Sequence, residues 1–235
     1  MDFALSTNWH SARHAAGETL VDEALALGFA GLELGYGFTP PLAAGVRRRA
    51  AAGAVRVVSV HAFCPVPLGA PAGHPELYLA ADTDEDMRRL AVIHLLQTLD
   101  FAVAVGAPAV VAHAGRIPAG GLSQRLAERH RDAATADWRY RRLRRRLLGR
   151  RRRRAGRHLA ALRRSLDELT PAFIRAGVTL CLENLPSWDA VPNEEETEVL
   201  LAEYPPAALR YWHDTGHGQV RENLGFINHA AAARR

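Results

Sequence analysis

The sequence predicts an α/β fold of the (β/α)8 barrel type that is incomplete, with about six strand–helix units. Short apolar runs alternate with longer stretches of helical spacing, which is the pattern of parallel strands joined by helical crossovers. No GxGxxG sequence follows the first apolar run, so a dinucleotide-binding fold has no motif to support it. The 235 residues suit a single barrel domain, since such domains commonly contain roughly 200–250 residues.

The first half of the chain contains four predicted strands and three predicted helices. The strands are expected over residues 3–6, 31–34, 55–60 and 108–112, and the helices over residues 18–27, 40–52 and 84–105. The run at 55–60 is rich in valine, which favours a buried strand. Proline near the start of the second helix and acidic residues in the first turn of the third are favourable at helix N-termini. A polar loop is expected over residues 7–10.

The second half contains fewer units than a closed barrel needs. Strands are expected over residues 178–182 and 209–212, helices over 194–203 and 219–233, and an Arg-rich helical region within 122–176. A closed barrel has eight strands, and a seventh would begin where the sequence ends. Open strand edges invite pairing with another chain. We therefore expect residues 1–235 to form one C-terminally short barrel domain: a fragment, a shortened natural variant, or a half that another chain completes. A homo-oligomer is among the expected assemblies.

The basic residues are concentrated in one segment. Residues 139–157 hold twelve of the 30 Lys and Arg residues and no acid, so the rest of the chain, with all 25 acids, is net acidic. Clustered Arg can neutralise nucleic-acid phosphates. However, leucines continue a helical stripe through and beyond the run, at Leu143, Leu147, Leu159, Leu162, Leu166 and Leu169. The favoured interpretation is an amphipathic helix with an Arg-rich solvent face, or a loop insertion, and nucleic-acid binding is the alternative.

The compartment is inferred from cysteine use and from the N-terminal residues. Cys64 and Cys181 form no CxxC pair, so they indicate neither a disulfide framework nor a thiolate zinc site. The first ten residues lack the basic and apolar regions of a signal peptide. No apolar run approaches the roughly 18 residues of a membrane span. We expect a cytoplasmic protein with no membrane partner.

Polar residues that can bind metals follow four consecutive strands. His61, His113 and Glu183 come directly after apolar runs, and Asp214 and His217 follow the next run. In a parallel barrel the C-terminal strand ends share one face, where active sites are built. Imidazole and carboxylate ligands suit zinc, manganese, cobalt or iron. Each residue alone could be structural, as a hydrogen-bonded histidine, a cap or a turn, but their recurrence at successive strand ends favours a metal site.

The segments SVHAFCPVP, VVAHAGR, LCLENLP and WHDTGHG, in this order, resemble the xylose isomerase-like TIM barrel superfamily. That group includes sugar phosphate isomerases and epimerases and the endonuclease IV type of apurinic endonuclease, and the resemblance covers about residues 3–230. It implies that Glu183 and Asp214 bind a divalent metal (Mn, Zn, Co or Mg) and that His217 is a further ligand or supports the ligands. It implies that His61 and His113 line the substrate pocket in the isomerases and bind metal in the nucleases.

The sequence departs from this family at its C-terminal end. The family takes a further His from the seventh-strand region and a Glu from the last strand, and the sequence stops before both. In the isomerases that Glu is one of two acid/base residues, and Glu183 matches the other. The resemblance therefore implies that a complete isomerase site cannot be assembled from this chain alone.

The first functional hypothesis is a divalent-metal-dependent sugar or sugar phosphate isomerase or epimerase. Such a reaction moves a proton next to a carbonyl, with a metal to polarise the oxygens and a carboxylate to carry the proton. Glu183 could be ligand, base or both, with His61 and His113 as further catalytic candidates. Asn184 could donate to a substrate hydroxyl or cap a turn, and Trp9 and Trp188 could line a sugar pocket or belong to the core. The alternatives are an endonuclease IV-like abasic-site endonuclease and a non-catalytic truncated barrel.

Overall fold

The computed structural model describes residues 3–131 and 137–232. The strands are β1 (Leu5–Ser6), β2 (Gly31–Leu34), β3 (Arg56–His61), β4 (Ala109–Ala112), β5 (Gly115–Arg116), β6 (Thr179–Glu183), β7 (Ala190–Val191) and β8 (Leu209–Trp212). The helices are α1 (Gly17–Ala26), α2 (Pro40–Ala51), α3 (Glu85–Ala104), α4 (Leu122–Arg131), α5 (Trp138–Ala176), α6 (Glu194–Glu203), α7 (Thr215–Asn223) and α8 (His229–Ala232). Two 3-10 turns, Thr7–Trp9 and Ser11–Arg13, lie between β1 and α1.

Six strands form one parallel sheet in the order β1-β2-β3-β4-β6-β8. Apart from the small strands β5 and β7, spatial order follows chain order, as in a barrel built from successive strand–helix units. The sheet is buried on both sides, because helices cover one side and the inward-facing side chains of the strands pack together on the other. At most 2% of the surface is exposed in each of the strand residues Val57, Val60, Val110 and Leu180. The α/β barrel-type fold predicted from the alternating pattern is therefore confirmed, as a partial barrel sheet.

Helices α1 and α2 pack closely because both present glycine at their contact. A Cβ atom on Gly17 would overlap with the backbone of Leu42 and Val46 in α2. The buried face of α1 is formed by Leu20, Val21 and Ala24, which match the helical spacing of the sequence. Helix α5 packs against α3 and ends at Gly177, whose φ of 65° is the left-handed conformation common after a helix C-terminus.

Most predicted boundaries agree with the structure to within a residue or two. The strand over 31–34, the helix over 194–203 and the strand over 209–212 are found with the predicted limits. The polar loop at 7–10 is a 3-10 turn, and the predicted C-terminal helix is two helices, α7 and α8, with residue 233 outside the described residues. The Arg-rich region is two helices, α4 and α5, and residues 132–136 between them lie outside the described residues.

The leucine stripe in the Arg-rich region is the buried face of α5. Leu143, Leu147, Leu162, Leu166 and Leu169 are buried, and most Arg side chains lie on the opposite face. Arg151 is an exception: it is 4% exposed, pairs with Glu196 and leaves two guanidinium nitrogens without a partner among the described residues. The interpretation as an amphipathic helix with an Arg-rich face thus agrees with the structure. Across the described ranges, no helix has the length and apolar character needed to cross a bilayer.

Candidate metal-binding active site

The C-terminal ends of β3, β4 and β6 bring three polar side chains together. His61 is the last residue of β3, Glu183 is the last residue of β6, and His113 directly follows β4. The parallel register pairs His61 with Val111 and Glu183 with Trp212, so these strand ends lie at one edge of the sheet. The sequence predicts that these residues share a face because parallel strands end on the same side of the sheet. The structure places the three side chains in direct contact.

The Glu183 carboxylate is the centre of the cluster. Its Oε2 atom lies 3.0 Å from His61 Nε2 and 3.2 Å from His113 Nε2, and its Oε1 atom lies 3.3 Å from His217 Nδ1. The side chains of Glu183, His61 and His113 are 7%, 7% and 10% exposed, while that of His217 is 28% exposed. Three imidazole rings therefore surround one nearly buried carboxylate that opens to solvent on the His217 side.

In the two buried histidines, His61 and His113, the ring nitrogen that does not face Glu183 lies beside an oxygen acceptor. His61 Nδ1 lies 2.8 Å from the carbonyl oxygen of Ala62, and His113 Nδ1 lies 3.2 Å from Oε1 of Glu76. A carbonyl oxygen and a carboxylate can only accept, so both Nδ1 atoms carry a proton. The Nε2 atoms of both rings face the Glu183 carboxylate. Histidines that bind metals have this arrangement, with the remote N–H held by an oxygen.

Asp214 and His217 lie at the start of α7 on the other side of Glu183. Asp214 is the N-cap of α7, and its Oδ1 atom accepts from the backbone amide of His217 at 2.7 Å. Its Oδ2 atom lies 3.7 Å from His217 Nδ1. The Asp-Thr-Gly sequence is thus a helix start, and the cap leaves one carboxylate oxygen directed toward the site. One ligand atom each from Glu183, Asp214 and His217 lies within 4.8 Å of the others.

Asn184 fixes the position of Asp214. Its Nδ2 atom donates to the backbone carbonyl of Asp214 at 2.9 Å, and its Oδ1 atom accepts from the Asp214 amide at 2.7 Å. The backbone carbonyl of Asn184 accepts from His217 Nδ1 at 2.8 Å. This buried residue therefore connects the end of β6 to the turn after β8, and its expected contact with substrate remains a prediction.

Glu183 and two of its histidine neighbours shift one another's pKa in opposite directions. Burial would raise the pKa of Glu183, but hydrogen bonds from His113, His217 and His61 outweigh it and hold that pKa far below the usual range. Burial would lower the pKa of His113, but its contacts with Glu183 and Glu76 raise it above the ordinary value. The pKa of His217 is also raised, because Glu183 and Asp214 outweigh the effect of burial. Glu183 is therefore ionised at neutral pH.

Glu76, which contacts the site, and Glu33, which accepts from serines of the two neighbouring strands, were not identified from the sequence. Glu76, in the long segment between β3 and α3, contacts His113 and also accepts from Arg116 at 2.7 Å. Burial opposes ionisation of Glu76, but hydrogen bonds from His113 and Arg116 lower its pKa to about 2. Glu33, near the end of β2, accepts from Ser6 at 2.8 Å and Ser59 at 3.1 Å. The strand-end rule could have found Glu33, whereas Glu76 has no signal of this kind.

The small antiparallel pair of β5 and β7 was also missed, because each strand has only two residues. It holds Arg116 between Glu76 and Asp189, at 3.3 Å from the latter, and in contact with Ser187. This network connects the histidine cluster to the loop that follows β6.

The two tryptophans predicted to line a sugar pocket lie in different surroundings. Trp9 is 61% exposed, with the guanidinium of Arg13 4.3 Å from its ring centre. Trp188 stacks on Phe226 with ring centres 4.8 Å apart, against a small apolar cluster between α4, α5 and α7. Arg151 and Arg221 lie 5.7 and 5.6 Å from the Trp188 ring. A role for either residue in binding substrate remains a prediction.

The sequence matches one known family over most of its length. Residues 21–235 match the family described as xylose isomerase-like TIM barrel. No curated protein sequence matches the chain significantly.

Solved structures of similar fold include three proteins named as sugar epimerases or as similar to one. A 3-keto-D-glucoside 4-epimerase from E. coli has a TM-score of 0.68 and 15% identity, over 100% of this chain and 74% of its own. A D-tagatose 3-epimerase-like protein has a TM-score of 0.61 and 17% identity, over 97% and 73% of the two chains. A D-psicose 3-epimerase has a TM-score of 0.60 and 11% identity, over 95% and 70%. At these identities the likeness shows the fold.

Proposed function

The chain belongs to the xylose isomerase-like TIM barrel family, and from this premise we propose that it is a divalent-metal-dependent sugar or sugar phosphate isomerase or epimerase. The observation that carries the proposal is the convergence of three imidazoles on the ionised, nearly buried carboxylate of Glu183. The epimerases of similar fold act, by their names, on small sugars, which agrees with this substrate class. Proton transfer next to a carbonyl is the common step of these reactions.

The donor set fits a divalent metal ion. Glu183, Asp214 and His217 would hold it, because they supply two carboxylates and an imidazole with ligand atoms within 4.8 Å of one another. Nitrogen and carboxylate ligands suit manganese, cobalt and zinc, with magnesium next. When bound, such an ion polarises the carbonyl and hydroxyl oxygens of a sugar.

The residues of the chain itself would bind the sugar and move the proton. Glu183 is ionised at neutral pH, and it would accept the proton from the carbon next to the carbonyl once the histidines that depress its pKa turn to the substrate oxygens. His61 and His113 present Nε2 to the same space with their Nδ1 atoms held, so each Nε2 would accept from a substrate hydroxyl when the ring is neutral and donate to a substrate oxygen when it is protonated. Asn184, Trp9 and Trp188 are proposed to contact the sugar, and Asn184 also positions Asp214.

Hydrogen exchange in D2O tests this function even while the natural sugar is unidentified. The full chain with added Mn²⁺ is incubated with ketoses, aldoses and their phosphates, and deuterium incorporation next to the carbonyl is followed by NMR. Wild type should incorporate deuterium, because exchange needs only one of the two acid/base residues, and should bind a metal equivalent that Glu183→Gln loses. The matched control is Glu195→Gln, an exposed glutamate of α6, which should behave as wild type. Equal exchange and metal binding in wild type and Glu183→Gln would show that the proposal is wrong.

A second candidate function is metal-dependent cleavage of DNA at abasic sites. Two observations favour it. His61, His113 and Glu183 by themselves form a group with ligand atoms within 4.8 Å of one another. The Arg-rich helix α5 offers positive charge for phosphates. The test is cleavage of an abasic duplex in the presence of Zn²⁺ or Mn²⁺. Cleavage that depends on His113 would favour the nuclease, and the absence of both activities in a metal-bound chain would favour a non-catalytic barrel.

A further inference from the structure

A second cluster of metal-binding side chains lies at the N-terminal end of the chain and shares no residue with the site around Glu183. His10 lies between the two 3-10 turns, His14 follows the second turn, and Glu23 is on α1. One ligand atom from each lies within 4.8 Å of the others. The His14 and Glu23 contact is short, with 2.5 Å between His14 Nε2 and Glu23 Oε2.

The Thr19 hydroxyl orients the His14 ring through Nδ1. The Thr19 hydroxyl donates to the carbonyl oxygen of Ala16 at 2.9 Å, and it lies 3.0 Å from His14 Nδ1. Since its one proton is used, the hydroxyl can only accept from His14, and Nδ1 therefore carries a hydrogen. The Nε2 atom then faces a carboxylate oxygen at hydrogen-bond distance. Only a cation, either a proton or a metal ion, makes this contact favourable.

A separate observation concerns His10, whose ring nitrogens are buried. Its side chain is almost completely buried, at 1% exposed, and across residues 3–131 and 137–232 neither Nδ1 nor Nε2 makes a hydrogen bond of good geometry, although the backbone of Leu20 lies close enough to raise the pKa of the ring against the effect of burial. Buried polar atoms without a partner are uncommon and costly. The ring lies edge-on to that of His14, with centres 5.7 Å apart. An ion bound between the two rings would give one of these nitrogens a partner.

We propose that His10, His14 and Glu23 form a second divalent-metal site, of the type that zinc occupies with two imidazoles and one carboxylate. Ligand atoms of a tetrahedral zinc ion lie about 3.4 Å apart, so the three side chains reach this geometry by small rotations: His14 and Glu23 separate slightly and His10 approaches. Three protein ligands leave the fourth position to water or to another ligand.

The surroundings of the cluster support the role of each ligand. Thr19 holds the remote N–H of His14, as oxygen acceptors do for histidines that bind metals. Arg13 pairs with the other carboxylate oxygen, Oε1 of Glu23, at 3.0 Å and leaves Oε2 for the ion. The Arg13 side chain is 52% exposed, so solvent screens its charge. Partial exposure of His14 and Glu23, at 14% and 31%, provides an entry path for the ion.

The test is zinc titration of the full chain in the Glu183→Gln background, with a chromophoric zinc indicator as competitor and Co²⁺ absorption as a second readout. Glu183→Gln should bind zinc at the second site. Adding His14→Gln should weaken this binding by more than about tenfold, the lower range for loss of groups that only support ligands. The matched control is His94→Gln, on α3 with its ring stacked on Tyr78, which should bind as Glu183→Gln does.

Thermal unfolding in the presence and absence of zinc provides a check on folding. Zinc should raise the Tm of Glu183→Gln and of its His94→Gln derivative, but not that of the His14→Gln derivative. If His14→Gln prevents folding, Glu23→Gln on the solvent-facing side of the cluster replaces it. The proposal is overturned if Glu183→Gln binds no zinc, or if His14→Gln and Glu23→Gln leave its binding unchanged. Failure of the proposed function would leave these outcomes unaffected, because the titration measures binding that does not require Glu183.

Discussion

Nε2 of His61 lies 3.0 Å from Oε2 of Glu183, although β4 lies between their two strands in the sheet. Strands two positions apart in a flat sheet are separated by roughly 9.6 Å. The contact is therefore made across the concave side of the sheet, where side chains from alternate strands of a barrel meet. His113 from the intervening strand end contacts the same oxygen, so the curvature of the sheet places all three groups around one point.

Replacement of Glu183 should change the titration of His113. The pKa of His113 is raised because its contacts with Glu183 and Glu76 outweigh burial, so Glu183→Gln should lower it while Glu76 still contributes. The pKa is measured by NMR titration of the histidine ring signals in metal-free protein. Glu195→Gln should leave the titration unchanged, and an unshifted His113 in Glu183→Gln would contradict the described contact.

Glu76 should make stability depend on pH in the acid range. Its pKa is lowered from 4.5 to about 2, since hydrogen bonds from His113 and Arg116 outweigh burial. A carboxylate with a depressed pKa in the folded state stabilises the protein above its unfolded pKa, and this contribution is lost as pH falls from about 4.5 through about 2.

The measurement is the free energy of unfolding of wild type and Glu76→Gln between pH 7 and pH 2. The difference should be on the order of 3 kcal/mol at neutral pH and should decrease toward zero at pH 2. Glu195→Gln provides the reference for an exposed glutamate. A difference that does not vary with pH would show that the carboxylate charge is not the cause.

Gly17 should be intolerant of a side chain. A Cβ atom there would overlap with the backbone of Leu42 and Val46, so Gly17→Ala must push α2 away from α1. Overpacking of this kind costs about 1–3 kcal/mol. The matched control is Gly156→Ala in α5, where a Cβ meets no atom within 4 Å and should add up to about 1 kcal/mol of stability through helix propensity. Urea unfolding of both variants checks the opposite signs.

The fold could be predicted to the extent that it depends on local pattern. The parallel strands and their helices were identified because buried strands are continuous apolar runs and helices have a 3.6-residue period. The β5–β7 pair could not be identified, since two-residue strands such as Gly115–Arg116 have no periodicity. Polar loop residues such as Thr7–Trp9 form a 3-10 turn through local hydrogen bonds that composition does not specify.

The candidate site was predictable where it depends on strand ends and not where it depends on tertiary contacts. His61, His113 and Glu183 were found because parallel strands end at one edge. Glu76 was not found, because it comes from a loop more than thirty positions from the histidine it contacts. Nor does the sequence reveal that the Nδ1 atoms of His61 and His113 are held by oxygen acceptors, the contacts that direct the Nε2 atoms of both rings to Glu183.

Asn184 provides a test that separates positioning of Asp214 from binding of substrate. Its amide group forms two hydrogen bonds with the backbone of Asp214, and Asn184→Ala would leave these partly buried backbone groups without their partner, at a cost of about 1 kcal/mol. Because Asp214 is a proposed metal ligand, the substitution should also weaken metal binding, by about 10–100-fold for a group that orients a ligand. Isothermal titration with Mn²⁺ measures the affinity.

Two further variants serve as controls. Asn184→Asp, which keeps the acceptor for the Asp214 amide, should recover part of the lost metal affinity. Asn223→Ala on the exposed side of α7 should have no effect. Unchanged metal affinity in Asn184→Ala, with a raised KM for a sugar, would instead assign Asn184 to the substrate.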